Sequence, residues 1–191
     1  MACSISSGVG IACADLKRVA GLNKRLWLFN MSDLRTPIDT TQTTITNINL
    51  TSYALLYMFE GQKFAHSAGV KLTRTDSGNI SFEHTVNIKV NNTTGTEDQV
   101  IENLCTSEVG AIVQTNNNEF LIYGAGNGLT CMDMEDNTGQ KQGDEEVTTI
   151  KLVGSEQTLA KRFARPAGGQ GSILNETLYY LNALTNSNIT T

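Results

Sequence analysis

Between Phe64 and Val90, apolar and polar residues alternate through two runs separated by Asp76, Ser77 and Gly78. One parity holds Phe64, His66, Ala68, Val70 and Leu72, then Ile80, Phe82, His84, Val86, Ile88 and Val90. The other holds Ser67, Lys71, Thr73 and Thr75, then Asn79, Ser81, Glu83, Thr85, Asn87 and Lys89. A period of two is the side-chain repeat of a strand, so the stretch predicts a long β-hairpin. Both apolar faces lie on one side only if paired positions share parity. A three-residue loop achieves this, with Gly78 in the left-handed position of a bulge. The resulting register sets Leu72 opposite Phe82, Val70 opposite His84 and Ala68 opposite Val86. It also sets Lys71 opposite Glu83, a meeting of opposite charges that the parity argument did not assume. A lone hairpin is at best marginally stable in water, so the rest of the chain must cover its apolar face.

A chain of 191 residues is enough for one sizeable domain. Hydrophobic residues make up 39% and charged residues 17%, and Thr, Asn, Ser and Gly fill the shortfall. Thr favours strands, and Asn and Gly favour turns, so a mostly β protein is expected. The formal net charge of −5 argues against a role in gripping nucleic acid, which needs a basic footprint. It is compatible with letting nucleic acid pass. No stretch has the apolar length of a membrane span, and Met1 to Arg18 lacks the features of a signal peptide. Folding in a cytoplasm is expected. The four cysteines, Cys3, Cys13, Cys105 and Cys131, form no CxxC pair, so free thiols are expected rather than a zinc site or a disulfide framework.

Residues 1–23 read as an arm, 24–165 as a β domain and 166–191 as a C-terminal arm. Lys24 to Asn30, with the only Trp, reads as a first strand. Ser32 to Asp39 is a connector broken by Pro37. Thr40 to Leu50 has strand composition, and the more apolar Thr51 to Gly61 suits a buried strand or short helix. Thr96 stands where it can cap a helix, and Glu97 and Asp98 suit its first turn. Val100, Ile101, Leu104 and Cys105 share one face of that helix, and Gly110 marks its exit. Ala111 to Thr115 and Glu119 to Tyr123 flank Asn116, Asn117 and Asn118 as a second hairpin, because Asn tolerates the left-handed conformation. Ala125 to Glu146 is Gly-rich and acidic and reads as a mobile loop. Val147 to Gly154 and Gln157 to Ala164 read as closing strands turning at Ser155 and Glu156. Ile173, Leu174, Leu178, Leu181 and Leu184 lie near one side of an amphipathic helix in the C-terminal arm.

Motifs that carry chemistry are weak. Gly124, Gly126 and Gly128 begin like a dinucleotide loop, but Leu129 occupies the next glycine position and no helix pattern follows. Asp133, Glu135 and Asn137 alternate like calcium ligands, yet Thr138 and Asp144 stand where the loop needs Gly and Glu. Gly168-Gly169-Gln170 matches the release-factor tripeptide without its context. His66 and His84 have no placed nucleophile and read as core or interface residues. Asn-x-Ser/Thr triplets such as Asn49 to Thr51 and Asn92 to Thr94 follow from composition. No catalytic residue, cofactor or metal is assigned from the sequence.

The helix TEDQVIENL, the hairpin GAIVQTNNNEFLIYGAGNGL, the acidic loop with NTGQ and the closing VTTIKLVGSEQT occur in an order that resembles phage structural proteins. The likeness, which also takes in GLNKRLWLFNMSDLRT, is to major tail tube proteins of Bacteroidetes phages and runs from about Gly8 to Arg165. It implies a mostly β fold with one α-helix, a twisted barrel or sandwich shared with the type VI secretion tube protein, with a long hairpin and terminal arms. It further implies homo-oligomeric rings, six-fold as a rule, that stack into a tube and contact other tail proteins. Genomic DNA would pass through the lumen unbound, with no membrane involved, and the protein would reside in the virion tail after assembly in the host bacterial cytoplasm. The polar side of the long hairpin suits such a channel or a subunit seam, because each phosphate held by a cation adds drag. Thr73, Thr75, Ser81, Glu83, Thr85 and Asn87 are the candidate residues. Alternatives are a tail terminator, a head–tail connector, a decoration protein or, less suited by its 6% aromatic content, a carbohydrate-binding sandwich.

Overall fold

The structure is a computed structural model that describes residues 21–62, 64–74, 78–91, 95–137, 146–166 and 172–186. Several expectations lie outside these residues: the lead-in before Gly21, the loop residues Asp76 and Ser77, candidate Thr75, Asn92 to Thr94, Gly168-Gly169-Gln170, Thr138, Asp144, Cys3 and Cys13.

The alternating stretch forms β4 (Ser67–Arg74) and β5 (Ile80–Asn91). Their pairing is the one parity demands: Leu72 with Phe82, Val70 with His84, Ala68 with Val86 and Lys71 with Glu83. Gly78 adopts φ +85°, where a β-carbon would be strained. The first run starts later than its pattern, because Phe64 itself sits at φ 67°, outside the strand and 56% exposed.

β5 is an inner strand of an antiparallel four-stranded sheet, ordered β4-β5-β9-β8, in which β9 is Val147–Glu156 and β8 is Thr130–Asn137. A second sheet has six strands in the order β2-β10-β7-β6-β1-β3. Its members are β1 (Leu22–Asn30), β2 (Thr44–Ile45), β3 (Tyr57–Glu60), β6 (Val109–Thr115), β7 (Phe120–Tyr123) and β10 (Lys161–Phe163). All its pairings are antiparallel except β10 with β2. The two sheets stack as a sandwich and do not close into a barrel. Leu26, Leu28, Ala111, Val113 and Tyr123 of one meet Val86, Ile88, Ile150 and Leu152 of the other.

The six-stranded sheet is covered on both sides. Its second face, with Trp27, Phe29, Ile45, Ile112, Phe120, Ile122 and Phe163, packs against Ile48, Leu56 and the helix α2 (Ile173–Asn186). Two-sided burial accounts for the unbroken apolar run Leu26-Trp27-Leu28-Phe29, in which all four residues are buried. Gly110 pairs with Phe29, and a β-carbon there would lie 2.1 Å from Phe29 Cζ. The missing side chain leaves room for the ring.

The structure corrects several expectations. Two α-helices occur among the described residues, where the resemblance implied one: α1 (Gly95–Cys105) and α2. α1 begins one residue before Thr96 and ends at Cys105, while Gly110 lies inside β6. Ile101 and Leu104 of its apolar face are buried, Cys105 is half-buried, and Val100 is exposed. Thr40 to Leu50 yields only the two residues of β2, because Ile48 is buried in a loop rather than a ladder. Thr51 to Gly61 yields β3, an edge strand with Tyr57 and Met58 exposed, not a buried element. Thr130 to Asn137, expected as loop, is strand β8. Ser155 and Glu156 continue β9 instead of turning. The C-terminal helix, assigned to an arm from its sequence, packs Leu174, Leu178, Leu181 and Leu184 onto the second core. There Thr177 donates to the Ile173 carbonyl and accepts the Arg165 N–H.

Candidate assembly face

On β5 the inward positions Phe82, His84, Val86, Ile88 and Val90 alternate with outward ones, and the outward set contains the sequence candidates. Ser81 pairs with Thr73 of β4. Glu83 lies between Lys71 of β4 and Ser155 of β9, and Thr85 between Gly69 and Val153. Asn87 lies between Ser67 and Lys151, and its amide donates to Ser67 Oγ at 2.9 Å. The structure therefore brings Thr73, Ser81, Glu83, Thr85 and Asn87 onto one face. Thr73 is exposed, and the other four are half-buried by their neighbours on the sheet.

The face is wider than the hairpin. β8 and β9 extend it with Lys151 beside Asp133, Thr149 beside Glu135, and Val147 beside Asn137. These residues went unrecognised as partners because β8 reads as an acidic loop. The alternation of Ile150 and Leu152 with Thr149 and Lys151 was the available signal. Lys71, Lys89 and Lys151 on this side are matched by Glu83, Asp133 and Glu135. The face is thus a balanced mixture of hydroxyl, amide and charge, without a basic stripe. Asp133, Glu135 and Asn137, weighed above as calcium ligands, spread along one side of β8. Among the described residues, no group of three or more His, Cys, Asp or Glu side chains could hold a metal.

At the far end of the hairpin the inward side also lacks cover. Leu72 is 54% exposed and Ile80 49%, although both share the parity of the buried Val86 and Ile88. The hairpin outruns the sandwich and presents a bare apolar end. Met134, of the inward parity on β8, is likewise exposed. Among the described residues, no strand pairs with the outer edges of β3, β4, β8 or β2.

The histidines are engaged elsewhere. His66 Nε2 lies 3.1 Å from the Lys24 carbonyl, and its Nδ1 accepts the Lys89 N–H at 3.2 Å. His84 Nε2 lies 2.9 Å from the Thr158 carbonyl, and its Nδ1 accepts the Gly124 N–H at 3.2 Å. A carbonyl only accepts, so each ring carries its proton on Nε2. His66 joins β1 to β5, and His84 joins β5 to the end of β7. Burial pushes both imidazoles below the usual range, opposed by the bonds to Lys24 and Thr158 and, at His84, by the nearby Glu156 carboxylate. Glu156 is itself buried, and its Oε1 accepts the Gly126 and Asn127 N–H groups at 3.0 and 2.9 Å. The Gly124–Gly128 segment is thus a turn held by a carboxylate and leads into a strand, not a helix.

The apolar cleft between α1 and the β1–β3 edge has a volume of about 210 Å³ and is lined by Leu28, Tyr57, Phe59, Val100 and Leu104, with Asn30, Asn103, Ser107 and Val109. It gathers no carboxylate, histidine or cysteine. No helix among the described residues is long and apolar enough to cross a membrane. Comparison of the chain with protein families, curated proteins and solved structures finds no match.

Proposed function

We propose that this protein is a virion structural subunit, a phage major tail tube protein that polymerises into stacked hexameric rings around a DNA-conducting channel. The observation that carries this reading is the unfinished end of the β4–β5 hairpin. Leu72 and Ile80 are half-exposed apolar residues on a strand pair that extends beyond its own core. Exposed apolar surface beside open strand edges favours association, and copies of one chain satisfy such edges by pairing in rings. The polar face behind the hairpin suits a channel wall, since its charges are balanced and its remaining groups are hydroxyls and amides. The order of sequence segments that resembles tail tube proteins supports the same reading. On this reading the subunit would reside in the virion tail and contact other tail proteins.

Negative-stain microscopy of the purified full chain across a concentration series tests the proposal. Long hollow tubes are expected. Rings that never stack would point to a terminator or connector instead. A particle that stays monomeric at every concentration would remove the basis of the reading.

A further inference from the structure

Cys105 is the last residue of α1, and Cys131 is the second residue of β8. Their sulfurs lie 3.3 Å apart across a sequence separation of 26 residues. Both thiols are free and half-buried. The approach has a local cause. The β8–β9 register shifts between Cys131 and Asp133, so Met132 is the extra residue of a bulge. Cys131 stands opposite the buried Leu152 and points inward beneath the end of α1, whereas Met132 is exposed. The helix end is itself held, because Thr106 and Ser107 return hydrogen bonds to the carbonyls of Asn103 and Leu104.

We propose that Cys105 and Cys131 are a disulfide-forming pair, closed by low-molecular-weight disulfides, that locks α1 onto the exposed edge strand β8. A disulfide needs its sulfurs at about 2.05 Å, so the pair must close by roughly 1.3 Å, within the reach of side-chain rotation. Burial, and then the hydrogen bond with Cys131, pushes the Cys105 thiol up to about 11. The thiolate of one cysteine displaces one thiol from the oxidant and forms a mixed disulfide. The other cysteine then loses its proton and attacks the sulfur of the first, releasing the second thiol. Two S–H bonds become one S–S bond, the oxidant takes up two electrons, and the two protons leave on its two thiols. In a reducing cytoplasm the pair stays open, and it closes in an oxidising medium. This inference does not depend on the tail tube reading.

The test treats the full chain with oxidised glutathione and maps its peptides without reduction. The expected product is a Cys105–Cys131 linked peptide. Melting temperature is expected to rise by roughly 5–10 °C, reversibly with reductant, because the link constrains the unfolded chain. Cys131→Ser is expected to show no such rise. Stable glutathione adducts on either residue, or links to Cys3 or Cys13 in place of this pair, overturn the proposal. A linked peptide without a rise in melting temperature overturns the lock. The peptide map is read on the unaltered chain, so the decision stands even if the variant fails to fold.

Discussion

His66 and His84 use the same two ring atoms for the same purpose, which is to hold backbone groups distant in the chain: Lys24 and Lys89 at His66, Gly124 and Thr158 at His84. Each is held neutral by burial, and that makes stability depend on pH. The folded-state value is lowered, so above the ordinary value of 6.5 both states are neutral and nothing is lost. As pH falls below about 6.5, the unfolded chain takes up protons that the folded chain refuses, and stability declines. Urea midpoints measured from about pH 7 down to about pH 5 are expected to fall. His84→Gln is expected to cost about 1–3 kcal/mol near neutrality, because the Gly124 N–H loses its acceptor. The same variant should flatten the acid-side decline, and an unchanged slope would assign the decline to other groups. Nothing in the sequence marks these residues as bridges. Their parity placed them on the apolar side, but the partners at Lys24, Gly124 and Thr158 are distant in the chain and belong to backbone, which carries no residue-specific signal.

Among elements, legibility followed how one-sided each was. The β4–β5 register was readable because an apolar face and a polar face alternate without a break, and a slip of one residue would invert both. β8 was not readable, because the bulge at Met132 breaks its alternation and its inward side mixes Cys131 and Met134 with the polar Asp136. Even its inward Asp136 is satisfied, by the Thr148 hydroxyl at 2.8 Å, so no period appears. Glu156 looked like a turn residue for a similar reason: a buried carboxylate is tolerable only once the Gly126 and Asn127 N–H groups supply its partners. Two expectations belong at this scale. Leu72→Ser with Ile80→Ser should leave the subunit's stability within about 0.5 kcal/mol, since both residues are already exposed, yet abolish polymerisation. Thermal melting with microscopy separates these effects, and tubes from the double variant would remove the hairpin end from the contact. Leu181→Ala, at a fully buried position of α2, should cost about 2–5 kcal/mol in urea unfolding. A loss below about 0.5 kcal/mol would make α2 a dispensable appendage.

For the whole molecule, the sequence read correctly as a mostly β domain, but the way its layers stack was out of reach. The six-stranded sheet is covered on both faces because α2 and the segment around Ile48 and Leu56 fold back over it, and only long-range contacts specify that. The orientation of the polar face in an assembly is open to direct measurement. A cysteine introduced as Thr85→Cys should react freely with a bulky polymer-linked maleimide in the dispersed chain and be shielded in the tubes proposed above. The unaltered chain supplies the background from its own thiols. Equal reaction rates in the two states would put Thr85 on the outside of the tube. The parallel pairing of β2 with β10 has a different bearing, on time. Thr44 finds its ladder neighbour in Arg162, and among the described residues β2 has no other strand beside it. During synthesis that margin of the sheet must wait, unmatched, until β10 has left the ribosome, over a hundred residues after β2. A nascent chain therefore cannot complete this margin before residues 161–163 emerge, and the second core waits longer still, for α2.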